Sequence, residues 1–198
     1  MMRSTRAISI VAISAFLATS CRSAAPLQEP LFSNKTSTQT ERDEGHNLNM
    51  SLSAYDKAIE EFERNKSLVN DDYIFITVAT AYLLRYVDSG EKLRDMKDLE
   101  LALEYSNKAI ALNGSNAKYY GARGEVYREF GKTKTDAAEH KTYLNKALED
   151  FSHCVQLSTN SDLSAMCHRG KARVFDLLGD AQTSTIERNA ILGTESQK

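Results

Sequence analysis

Proline occurs only twice in 198 residues and glycine nine times, which disfavours a many-turned β architecture and favours helices. Neither sign of charge dominates. With 25 basic residues against 27 acidic ones, nothing in the balance calls for a nucleic-acid partner or an anionic surface. At 41% hydrophobic and 26% charged residues the composition is that of a globular chain, and the length suits one domain or a short repeat stack. Catalytic signatures are also missing. There is no zincin pair, nucleophile elbow or phosphate loop; Gly121, Gly124 and Gly131 fall inside a helical pattern and do not follow a strand. Glu60, Glu61 and Glu63 read as a solvated helix face, so neither an enzyme nor a cofactor is expected.

What is present begins with an export signal. Arg3 and Arg6 precede an apolar run from Ala7 to Ala18, too short to span a bilayer as a mature helix, and Ala18-Thr19-Ser20 stand before Cys21. Small residues directly ahead of a cysteine resemble the bacterial lipoprotein box, although Ala18 occupies the usual leucine place and Leu17 lies one position earlier. The resemblance implies that residues 1–20 are removed and that Cys21 is acylated. Arg22, in place of Asp, resembles the class sorted to the outer membrane. Residues 21–48 carry both prolines, Pro26 and Pro30, among polar residues and read as a tether with a reach of roughly 30 Å. Asn34-Lys35-Thr36, Asn65-Lys66-Ser67 and Asn113-Gly114-Ser115 fit the glycosylation sequon and keep a secreted eukaryotic protein open as an alternative.

The rest of the chain repeats itself. Displacement by about 45 residues superimposes Phe75 on Tyr120, Tyr82 on Tyr127, Leu99 on Leu144, Ala102-Leu103-Glu104 on Ala147-Leu148-Glu149 and Leu112 on Leu157. Each unit holds two apolar stripes of helical period: Phe75, Val78, Ala79 and Tyr82, then Leu99, Ala102, Tyr105, Ala109 and Leu112 in the first copy. The fold expected is therefore all-α, a stack of helical hairpins. Residues 49–192 form the stack and 193–198 a short tail. Glu91 to Leu112 and Asp136 to Leu157 each read as one unbroken, elongated second helix that raises a rim on the stack. Ser51 to Leu68 reads as a second helix lacking its first, and Ala181 to Leu192 as a polar cap.

These units resemble tetratricopeptide repeats, on Tyr120, Arg123-Gly124, Tyr127 and Phe130-Gly131 in the first helix and on Ala147, Phe151 and Cys154 in the second. Gly124 is the small residue at which two helices approach closely. Gly114 and Thr159 depart from the family, standing where it usually has proline, and each unit carries about eleven extra residues between its helices. The resemblance implies a TPR-like α-solenoid whose first helices present a partner-binding groove. Carried over by position, that groove is Tyr73, Ile76, Thr80, Leu83 and Leu84, then Lys118, Gly121, Glu125, Arg128 and Glu129, then Lys171, Val174 and Phe175. Its charged residues are expected to be exposed, so that truncating Arg128 or Lys171 weakens binding and leaves stability nearly unchanged.

His153-Cys154 and Cys167-His168 sit symmetrically about the turn near Asn160-Ser161. Three readings stay open: two small buried thiols, a Cys154–Cys167 disulfide, or a metal site, the last disfavoured because adjacent helical residues diverge by about 100°. The function expected is that of a non-enzymatic, lipid-anchored scaffold in the cell envelope that binds a protein or peptide. A periplasmic accessory of a solute transporter, enclosing a small ligand in a deep apolar cavity, is the rival.

Overall fold

The computed structural model describes residues 52–91 and 93–195. The expected leader, Cys21 and the tether lie outside them. Among the described residues seven helices follow one another: α1 (52–65), α2 (Asp72–Asp88), α3 (Met96–Leu112), α4 (Ala117–Thr133), α5 (Ala137–Leu157), α6 (Ser161–Leu177) and α7 (Ala181–Glu195). A 3-10 turn, Lys66–Leu68, closes α1. Among the described residues no regular element is a strand, and no helix is long and apolar enough to cross a membrane.

Side-chain caps set the helix starts. Asp71, Asp95, Asn116, Asp136 and Asn160 each accept a backbone N–H from the first turn of the helix that follows. Asp95 overturns the expected helix from Glu91. It accepts the Lys97 N–H, and Gly90 stands at φ 72° in the left-handed region, so the chain turns before α3 can begin. Elongation is consequently confined to the second unit, where Asp136 caps a 21-residue α5, against 17 residues in α3.

Each helix packs on the next, and α2 also meets α4 as α4 meets α6, so the first helices of three units stand side by side. The N-terminal half of the core is aromatic. Phe62 of α1 sets its edge against Tyr105 at 4.9 Å between centroids, while Phe75 and Tyr82 stack on the same ring at 6.1 and 6.0 Å. The Tyr82 and Tyr105 hydroxyls donate to Glu63 at 3.1 and 3.3 Å, and burial followed by the Glu63 charge pushes Tyr105 up to about 12.

Two arginines join three helices apiece. Arg85 of α2 reaches Asp98 of α3 at 2.8 Å and Asp56 of α1 at 2.9 Å. Arg123 of α4 holds Asp150 of α5 at 2.8 and 2.7 Å and Asn107 of α3 at 2.9 Å. The two pairs occupy different levels of the repeat. Where the first unit has Arg85 and Asp98, the second has Phe130 stacked on Tyr143 at 5.2 Å. Where the second has Arg123 and Asp150, the first has Val78 and Tyr105.

Candidate functional site: the face of the first helices

The sequence-derived groove residues separate into three groups. Tyr73 is half exposed, at 50%, and Lys118 is exposed at the start of α4. Thr80 and Leu84 are half-buried, and the Thr80 hydroxyl turns back to donate to the Ile76 carbonyl at 2.8 Å. Ile76 and Leu83, at 8% and 9% exposure, are instead part of the core that also contains Tyr119 and Val126 of α4. This corrects their assignment to an open surface. A first helix in the stack is covered on two sides, by its own second helix and by the next first helix, and the second contact takes these positions. Gly121 is buried for the same reason, whereas Val174 of α6 is buried by packing back against Leu144, Ala147 and Phe151 of α5.

The charged end of the face is internally paired. Arg128 Nη1 lies 2.7 Å from Glu125 Oε2, and its Nη2 lies 3.0 Å from Glu129 Oε1. Lys132 adds 2.7 Å to the other Glu129 oxygen, and Arg173 of α6 approaches Glu125 at 3.9 Å. Burial raises Glu125, against the opposing charges of Arg128 and Arg173. At Glu129 burial also acts upward, but hydrogen bonds from Lys132 and Arg128 outweigh it and hold the carboxyl below its ordinary value. Lys171 is occupied as well, with Nζ 2.6 Å from Glu187 of α7, whose other oxygen lies 2.6 Å from His168 Nδ1. Two of these pairings, Glu125 with Arg128 and Glu129 with Lys132, are at i,i+3 and legible as helix spacing. Lys171 with Glu187 crosses a hairpin and left no such mark.

The expectation that Arg128 can be removed at no cost is therefore corrected. Glu129 has a side chain only 3% exposed, and without Arg128 it keeps Lys132 alone. Arg128→Ala is expected to lower stability by about 1–3 kcal/mol, the range for leaving a buried polar group under-satisfied. Chemical denaturation would show it as a lower midpoint at unchanged slope, and an unshifted midpoint would contradict the pairing.

Cys154 of α5 and Cys167 of α6 are joined as a disulfide with Cα atoms 6.0 Å apart, both fully buried. The metal reading falls with it, because the flanking histidines face elsewhere. His153 lies tilted against Tyr120, and His168 pairs with Glu187. Among the described residues no group of three or more His, Cys, Asp or Glu side chains is placed to hold a metal ion. The sequon asparagines of the folded region are engaged: Asn65 donates to the Glu61 carbonyl at 2.8 Å and Asn113 to Asp72 at 2.9 Å. A concavity of about 490 Å³ runs along the outer side of α5, where Asn145, Lys146, Leu148, Glu149, Ser152, His153 and Gln156 line it.

No protein-family model matches the chain, and no curated protein does. Among solved structures it is similar to the crystal structure of a thermophilic TPR protein of Thermus thermophilus, with 22% sequence identity and a TM-score of 0.55 over 75% of this chain and 74% of that one. That likeness, together with the serial packing of helical hairpins, establishes the fold as an all-α helical repeat stack of tetratricopeptide type.

Proposed function

We propose that this chain is a non-enzymatic adaptor of the cell envelope, exported and anchored by lipid at Cys21, whose first-helix face binds another protein. The observation that carries the reading is the side-by-side packing of α2, α4 and α6, which sets three sets of equivalent positions on one scaffold. Tyr73, Thr80 and Leu84 offer partly apolar contact at one end. Lys118, Glu125, Arg128, Lys171 and Arg173 offer charge at the other, and all of these but Lys118 are pre-ordered by ion pairs so that less freedom is lost on binding. Attachment at Cys21 rests on the leader and the small residues before it, and the polar stretch to residue 48 would hold the stack clear of the lipid on the periplasmic side of the outer membrane. All the residues that line the α5 concavity belong to that one helix, so it is an open furrow and not the deep enclosed cavity that a solute-binding role calls for.

The test places a photo-crosslinking residue at Tyr73, Lys118 or, as control, Gln156 in intact cells, in the wild-type background and in Cys21→Ser. The expected result is one common adduct from Tyr73 and Lys118, none from Gln156, and labelled palmitate incorporated only when Cys21 is present. Adducts from Gln156 alone would move the binding surface to the second helices. Unlabelled wild-type protein would remove the anchor.

A further inference from the structure

The three units are not held together alike. The first is built on the Phe62, Phe75, Tyr82 and Tyr105 rings. In the third, α6 contributes Val174 to the cluster around Phe151 and Cys167 to the one with Ala117 and Cys154, while none of the described α7 side chains, those of residues 181–191, joins any of these clusters. Among the described α7 side chains the buried ones are Ser184 and Glu187. Ser184 Oγ lies 3.0 Å from the Ala172 carbonyl and 2.6 Å from Asp176 Oδ1, and Glu187 takes Lys171 and His168. Water replaces polar contacts at small net cost, so this hairpin belongs to the low-stability end of the molecule. Besides the backbone turn at residues 158–160, one side-chain covalent link ties it to the described remainder of the molecule. The Cys154–Cys167 bond crosses the α5–α6 seam and closes a loop with a sequence separation of 13.

We propose that docking of the α6–α7 hairpin is redox-conditional: with the bond formed the hairpin is locked onto α5, and with the bond reduced it opens locally while α1 to α5 remain folded. The bond forms by thiol–disulfide exchange. One cysteine thiolate attacks the disulfide of a dithiol-type oxidant, making a mixed disulfide and expelling one donor sulfur; the second thiolate then displaces the other. Two electrons and two protons leave with the donor, which departs as the dithiol. Dithiothreitol runs the same steps in reverse and leaves as its cyclic disulfide. The seam itself favours a local response. The ring of Phe151 is its main apolar contact, shared with Val174 on α6, whereas α1 to α4 keep a core in which no described side chain of α6 or α7 takes part.

Hydrogen exchange on the full chain tests this, comparing the oxidised protein, the protein in dithiothreitol and Cys154→Ala/Cys167→Ala, with the state of the bond read by mass after alkylation. Amides of Ser161–Leu177 and Ala181–Glu195 are expected to exchange roughly a hundredfold faster without the bond, the factor that goes with closing a loop of about 15 residues, while Asp72–Asp88 and Met96–Leu112 keep their rates. Unchanged rates in the hairpin after verified reduction would overturn the proposal. Equal acceleration in all helices would do the same, since the bond would then be a global staple, and so would two thiols that stay free under oxidising conditions.

Discussion

Phe151→Ala is expected to cost about 3–5 kcal/mol and to lower the melting temperature by on the order of 10 °C. The ring is buried on α5 between two glycines of neighbouring helices. A Cβ added at Gly124 of α4 would lie 3.0 Å from the ring, and one added at Gly170 of α6 would run into it. One side chain therefore fills the space among three helices, and its removal leaves a cavity that none of them can close without moving its backbone. The same geometry makes Gly170→Ala an overpacking change that costs about 1–3 kcal/mol in the wild-type background. In Phe151→Ala the added methyl has room. The double variant should thus lose clearly less than the sum of the two single losses in thermal unfolding, a coupling that contact alone produces. Strict additivity would mean that the ring does not sit against Gly170.

Much of this was readable beforehand, and the part that was not has a physical reason. The displacement of about 45 residues aligned Leu99 with Leu144 and Ala102 with Ala147, and these are the fully buried residues that seat α3 and α5. Gly124 was legible as a close approach because a small residue interrupts a stripe of large ones. Periodicity reports which residues share a stripe but not how many neighbours cover it, so the second buried side of α2, with Ile76 and Leu83, was invisible. It also ran through Asp95, whose capping role depends on the turn at Gly90. The Cys154–Cys167 pairing stayed open because contact across a hairpin depends on helix rotation about the seam, which spacing alone does not fix.

The exchange of levels between the two units yields the second large effect. Asp150 is nearly fully buried, and burial raises its pKa against the hydrogen bonds and charge of Arg123. Arg123→Met removes that compensation and leaves a carboxylate buried beside a thioether, which is expected to cost about 3–5 kcal/mol at neutral pH. The loss should depend on pH in a fixed direction. Without Arg123 the folded-state pKa of Asp150 lies further above its unfolded value, so the native state binds the extra proton, and stability falls as pH rises through that window. Between neutral pH and about pH 4, the gap between the variant and wild type should accordingly narrow in urea titrations. The first unit shows what a repaired site looks like, since Val78 and Tyr105 fill the positions equivalent to Arg123 and Asp150 with no charge at all. Arg123→Met/Asp150→Leu is expected to recover most of the lost stability, as apolar replacements of buried ion pairs commonly do, and to lose the added pH dependence. If the double variant stayed as unstable as Arg123→Met, the damage would come from the broken contact of Arg123 with Asn107 on α3, and the arginine would act chiefly as the tie between successive units.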